Sequence, residues 1–187
     1  WDPMFIDAVE TLYSSASNVP VYQPKPNEEK KLCIMEPNMN VVKMSTIPLL
    51  IIEDAYNKYK IDFKQTTLIS GVNLAKKKIW QSMVNGLNSI KKTIKTAHRM
   101  PVHRILAIGA DVIISHQWEN PLNYAYLDAM YLQFPLVHNA DMIKDAGYYY
   151  PDFNVAEGAR QLKHVLDYHD TNIDAYNAKN EEVLTRY

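Results

Sequence analysis

Between Asp111 and Asn139 the chain reads DVIISHQWENPLNYAYLDAMYLQFPLVHN, and His116, Gln117, Trp118, Glu119 and Asn120 follow directly on the apolar run Val112 to Ile114. The run predicts a strand. A helix is expected to start at Pro121 and to lead through a short turn into another strand. Five polar or aromatic side chains therefore gather at the carboxyl end of a strand and the amino end of a helix. Unbonded N–H groups and the helix dipole favour an anion at such a place.

Each residue type sets a chemistry, and each also has a plainer use. A carboxylate at Glu119 can accept two hydrogen bonds from a diol, and it can equally cap the following helix. The amides of Asn120 and Asn123 suit an anion at the helix start, with capping an equal contender for Asn120. His116 suits acid–base work near neutral pH or the polarising of an oxyanion, or it satisfies backbone groups at a strand end. Asp128 lies in an apolar helical stretch, where a catalytic carboxylate and one paired with an arginine or a backbone amide are both consistent. Lys43 and Arg99 each follow an expected strand, so both cations belong to the same edge of the sheet. The planar guanidinium of Arg99 matches two oxygens at once, whereas a solvated lysine is the plainer fate of Lys43. The run Tyr148-Tyr149-Tyr150 can stack on a ring or pack against the sheet edge.

Regular elements must position these groups. Leu32 to Met35 reads as a strand followed by Glu36-Pro37-Asn38, and Ser45 to Lys60 as a helix with Leu49, Ile52, Ala55, Tyr56 and Tyr59 at helical spacing. Gln65 to Ser70 predicts a strand, and Leu74 to Leu87 a helix with Ile79, Met83 and Leu87 on one face. Thr93 to Ala97 predicts a weaker strand, and Pro101 opens a helix to about Ile108 that Gly109 stops. Helices over about Val155 to Tyr168 and Ile173 to Arg186 close the chain. Strands alternating with helices imply an α/β fold, a parallel sheet with helices on both faces. Residues 17–30, rich in Pro, Asn and charge, read as a connector.

Composition narrows the function classes. The 187 residues are 47% hydrophobic and 22% charged, which suits one domain with a substantial core. A formal net charge of −1 gives no electrostatic reason to expect nucleic acid or an anionic membrane. No window reaches the roughly 18 apolar residues of a membrane span, and no basic-then-apolar signal pattern opens the chain, so a cytoplasmic protein is expected. The single Cys33 sits in an apolar run and is expected to pack as a small hydrophobe. With five glycines and neither GxGxxG nor a P-loop, the common phosphate-binding fingerprints are absent. The absence of GxSxG speaks against acyl transfer, and six scattered histidines without HExxH or H-x3-H spacing predict no metal.

The segment from Asp111 to Asn139 resembles the donor-binding, C-terminal half of GT-B fold glycosyltransferases of the family 4-like group. There a strand ends in a polar turn, and an E-x7-E motif leads into a helix, a small-residue turn, Pro and a short strand. Asp128-Ala129-Met130-Tyr131-Leu132-Gln133-Phe134-Pro135 sits where that group has E-A-M-A-C-G-x-P, so Asp128 takes the place of the second acidic residue. Counting back, the first acidic position falls on Asn120, one residue after Glu119, and Asn123 takes the place of the second Gly of a G-F-G turn. EPN, VVK, P-L-L-I-x-E-x-A-Y, HQWENPLNY and AGYYYPDF are also similar to a group of uncharacterised GT-B-like proteins of bacteria and their viruses. The resemblance spans roughly Met4 to Tyr168.

It implies a Rossmann-like domain over 31–170 that binds a nucleotide-diphosphate sugar, preceded by a linker with a leading helix over 1–30 and followed by a crossing helix over 171–187. It implies donor-binding roles for Lys43, Arg99, Asn120 and Asn123, and catalytic roles for His116, Glu119 and Asp128. Transfer to an acceptor would rest on positioning and on neutralising the departing diphosphate, without a metal or a tightly bound cofactor. An acceptor domain would precede Trp1, so the sequence is expected to be part of a longer protein and inactive alone. A non-catalytic GT-B-like binding or assembly domain is the alternative, and a GT-B-fold epimerase a third.

Overall fold

A computed structural model of the chain describes residues 1–13, 20–91, 93–120 and 122–187, with the backbone alone for 9–13. Among them the elements run α1 (Met4–Tyr13), β1 (Lys31–Ile34), α2 (Thr46–Tyr59), β2 (Gln65–Leu68), α3 (Lys78–Asn85), β3 (Ile94–Thr96) and α4 (Val102–Ala107). Then follow β4 (Val112–Ile114), α5 (Tyr124–Tyr131), β5 (Leu136–His138), β6 (Tyr148–Tyr149), α6 (Val155–Tyr168) and α7 (Ile173–Leu184). The strands form one sheet in the order β3-β2-β1-β4-β5-β6, parallel throughout. The order reverses between β1 and β4. Their carboxyl ends therefore diverge into separate loops and leave a crevice there.

The central strands β1 and β4 are apolar on both faces because both faces are covered. Leu32, Ile34, Val112, Ile114 and Val137 pack with residues of α2, α3 and α6. Cys33, Ile113 and Leu136 point the other way, into a second core built with α4, α5 and α7. Cys33 is buried, as its apolar run predicts. Gly158 lets α6 approach α2 closely, since a Cβ there would lie 2.5 Å from Ile51 Cδ1. Gly109, at φ +101°, turns the chain after α4 as anticipated.

Several boundaries differ from expectation. Helix α5 begins at Tyr124, and its N-cap is Asn123, whose side chain accepts from the Ala125 N–H at 3.2 Å. Pro121, the expected start, lies outside the described residues, as do residues 17–19 of the connector. Helix α3 is shorter than Leu74 to Leu87 and rotated: Ile79 is 80% exposed, while Trp80, Val84 and Leu87 are buried. Trp80 supplies more apolar area than Ile79, so its side of the helix faces the core. Helix α7 ends at Leu184, and the tyrosine run contributes the edge strand β6.

The rest of the connector is irregular but tied down. The Tyr22 N–H donates to the Leu132 carbonyl at 2.9 Å, and the Tyr22 hydroxyl to Asp170 at 2.7 Å. Asp170 also accepts from the Lys25 N–H at 2.9 Å and from Lys30 Nζ at 2.5 Å.

Candidate functional site

The crevice at the reversal point is shaped by two loops. After β1, the Asn38 side-chain oxygen accepts from the Ser45 N–H at 2.8 Å and the Ser45 hydroxyl at 2.7 Å. The Asn38 N–H donates to the Lys43 carbonyl at 3.1 Å. The Glu36-Pro37-Asn38 turn thus closes on the start of α2 and fixes where Lys43 emerges. After β4, Asn139 brackets Gln117, accepting from its N–H at 2.9 Å and donating to its carbonyl at 2.7 Å. The Trp118 N–H then donates to the Val42 carbonyl at 2.8 Å and joins the two loops.

Between them lies a cavity of about 180 Å³ whose lining includes Glu36, Lys43, Arg99, Ser115, Gln117 and Asn123. Lys43, Arg99 and Asn123, three of the residues that the sequence points to, meet here. Neither cation is in an ion pair among the described residues. A cleft of about 350 Å³ adjoins it through Arg99 and carries Asn38, Asn73, Lys77 and His98. Glu119 and Asn120 line a third cleft of about 230 Å³ with Asp141, Asp152 and Phe153. Glu119 sits at φ +46°, a left-handed conformation uncommon outside glycine. The Asn120 amide is engaged by the Gln117 side chain.

His116 is buried beside Phe153, with ring centroids 4.5 Å apart. The Tyr150 hydroxyl donates to the Ser115 carbonyl at 2.8 Å, so at 3.1 Å it accepts from the His116 Nδ1–H, an assignment that leaves Nε2 bare. Burial lowers this imidazole to about 4, so it is neutral near pH 7. Asp128 stands apart from the three clefts: its Oδ1 accepts from the Trp1 indole Nε1 at 2.8 Å, and burial raises its carboxyl. The tyrosine run packs rather than lining these clefts, with Tyr148 stacked on Tyr176 at 5.2 Å and Tyr150 fully buried.

The residue that the sequence reading passed over is Glu36. It is 2% exposed, and Oε1 accepts from the Ser115 hydroxyl and from the His116 N–H at 3.0 Å. Oε2 is buried without a partner. Burial pushes the carboxyl up to about 7, against the opposing pull of these hydrogen bonds and of Lys43. The available signal was an acidic residue immediately after an apolar strand, at the same edge as Lys43. Among the described residues no group of three His, Cys, Asp or Glu could hold a metal ion, and no helix is long and apolar enough to cross a membrane.

Solved structures share this architecture. Staphylococcus aureus TarM, in a complex that includes UDP, matches with a TM-score of 0.64 at 14% identity, covering 90% of this chain and 35% of TarM. The pneumococcal O-GlcNAc transferase GtfA, in complex with UDP and GlcNAc, matches at 0.60 and 7% identity, covering 100% of this chain and 41% of GtfA. The C-terminal domain of the glycosyl transferase group 1 family protein LpcC from Francisella tularensis matches at 0.61 and 14% identity, covering 89% of this chain and 95% of that domain. The chain thus spans well under half the length of the first two, and at these identities the likeness is one of fold. No curated protein sequence matches. With a six-stranded parallel sheet matching the C-terminal Rossmann-like domain of GT-B glycosyltransferases, the chain belongs to the family described as protein of unknown function (DUF2827), which it matches over residues 1–187.

Proposed function

We propose that this domain binds a nucleotide-diphosphate sugar in the crevice between β1 and β4, as the donor half of a glycosyltransferase. The observation that carries the reading is the convergence of Lys43 and Arg99, neither in an ion pair among the described residues, on one cavity at the reversal point of the sheet. Two cations beside a helix N-terminus suit a diphosphate, and UDP in two proteins of the same fold supports that ligand class. Residues 31–170 would hold the donor, with 1–30 leading in and 171–187 closing against a separate acceptor-binding domain.

In this reading Lys43 and Arg99 hold the diphosphate oxygens and offset the charge that grows on them as the glycosidic bond breaks. Asn123 orients the first turn of α5 towards the same oxygens. Glu119 and Asn120, in the neighbouring cleft, take hydroxyls of the ribose or sugar. His116, neutral and bonded to Tyr150, sets the end of β4, and Asp128 anchors the Trp1 segment. Catalysis then consists of positioning and charge neutralisation without a metal.

A second reading, a binding or assembly domain without transfer chemistry, has its own support. Of the two positions that match the acidic pair, one is Asn120, engaged by Gln117, and the other is Asp128, engaged by Trp1. A thermal-shift panel of nucleotides and sugar nucleotides tests the donor site. Stabilisation by a diphosphate that disappears in Arg99→Ala and Glu119→Ala is the expected result, and no shift with any compound overturns the donor reading. Sugar transfer by the protein together with its acceptor domain separates an enzyme from a binding domain.

A further inference from the structure

Glu36 stands in an unusual place for an acidic residue, in the same cavity as Lys43 and Arg99 and almost fully buried. Both hydrogen bonds from its neighbours, from Ser115 and from the His116 N–H, go to Oε1. That is the pattern of a carbonyl oxygen, and it leaves Oε2, which has no partner, as the atom to carry a proton. Charge balance points the same way. The diphosphate of a sugar nucleotide carries two negative charges near neutrality, and Lys43 and Arg99 supply two positive ones. An ionised Glu36 leaves the loaded cavity with one negative charge in excess, in a place where burial weakens screening.

We propose that anion binding in this cavity is coupled to the uptake of one proton by Glu36, which sets the charge of the site and hence its affinity for a diphosphate. The inference rests on the reading of the cavity as a diphosphate site. Before binding, Glu36 is shared between its two forms near neutrality; the anion selects the neutral acid and holds the proton on Oε2.

The shifted groups around Glu36 lie outside this range. Cys33 on β1, Tyr126 on α5 and Tyr150 after β6 are all pushed upward, chiefly by burial. His116 is lowered to about 4. Lys43, from the loop after β1, pulls the Glu36 carboxyl down, and Arg99 lines the same wall. His98 lines the adjoining cleft and is separated by substitution.

Calorimetric titration with UDP-GlcNAc in buffers of different ionisation enthalpy counts the protons directly, because this ligand does not itself titrate near neutrality. The expected result for the wild type at pH 8 is uptake of about one proton per ligand, with affinity falling by up to about tenfold per pH unit above pH 7. Glu36→Gln keeps an acceptor for Ser115 and His116, so it should fold as the wild type does, which circular dichroism checks. Its uptake should vanish and its affinity at pH 8 should exceed the wild type by about tenfold, converging below pH 6. His98→Asn should retain the uptake. Binding without uptake in the wild type, or uptake that persists in Glu36→Gln, overturns the proposal. Sulfate, which also does not titrate near neutrality, is the second probe. Sulfate binding with a Glu36-dependent uptake, beside no binding of UDP-GlcNAc, upholds the coupling and overturns the sugar-nucleotide reading; binding of neither anion overturns both.

Discussion

The N–H of Trp118 donates to the carbonyl of Val42 at 2.8 Å, so the loop after β4 is fastened to the loop after β1 across the point where the strand order reverses. The bond sets the width of the crevice that Lys43 and Gln117 line. Trp118→Pro deletes the donor, and the expected cost is about 1–2 kcal/mol of stability with weaker sugar-nucleotide binding. Trp118→Phe keeps the N–H and should retain both. Urea unfolding of the two variants checks this, and equal losses in both would assign the effect to the indole instead.

The stability of the fold should carry the imprint of Glu36. Its carboxyl is raised from 4.5 to about 7, so the folded chain holds a proton that the unfolded chain has released. That contribution is complete below pH 4.5 and is lost as pH rises through 7. Glu36→Gln does not titrate, so relative to the wild type it should gain up to about 3 kcal/mol between pH 4.5 and pH 8. Denaturant unfolding across that range reads the difference, and parallel curves would contradict it.

Buried histidines act in the opposite direction. His116, His138 and His169 are each lowered to about 4 by burial, from 6.5. In His138 the Nδ1 accepts from the Ala140 N–H at 3.2 Å while Nε2 faces the Ala146 carbonyl at 2.9 Å, so a second ring proton would oppose a donor. Their contribution is complete above pH 6.5 and is lost as pH falls towards 4, at up to about 1.4 kcal/mol per pH unit for each ring. Nitrogen NMR of His138 should show a neutral ring with Nε2–H at pH 5.5; a charged ring there would refute the assignment.

Asp128 offers a separate check on which carboxylate does what. Its bond to the Trp1 indole, 127 residues away, and the edge-to-face contact of Trp1 with Tyr131 describe an anchor. A double-mutant cycle of Trp1→Phe and Asp128→Ala should give a coupling of about 1 kcal/mol in stability. Neither variant should change the affinity for UDP-GlcNAc. A loss of affinity on Asp128→Ala would return this carboxylate to the donor site.

Much of the fold was legible because the strands announce themselves. Val112 to Ile114 is apolar at every position since both faces are covered, and α2 and α6 keep close to their expected spans, although Tyr56 of α2 is exposed and Ile51 takes its place in the core. Helix α3 misled because Ile79 and Trp80 define competing faces, and only the packed sheet decides between them. The cations of the crevice could be placed by their position after strands. Glu36 could not, because its hydrogen-bond partner Ser115 lies 79 residues further on, and the Glu36-Pro37-Asn38 sequence reads locally as an ordinary turn. Asn123, an expected anion contact, is also the cap of α5, a role fixed by the start of that helix at Tyr124.

Lys43 and Arg99, which line one cavity at the crevice between β1 and β4, are proposed to form one diphosphate site. Isothermal titration of UDP-GlcNAc into the wild type, Lys43→Ala, Arg99→Ala and the double variant, at low and high salt, tests it most directly. The predicted result is saturable binding that weakens about tenfold or more in each single variant, is lost in the double variant and falls with salt. Undiminished binding in the double variant, or none in the wild type, would contradict it.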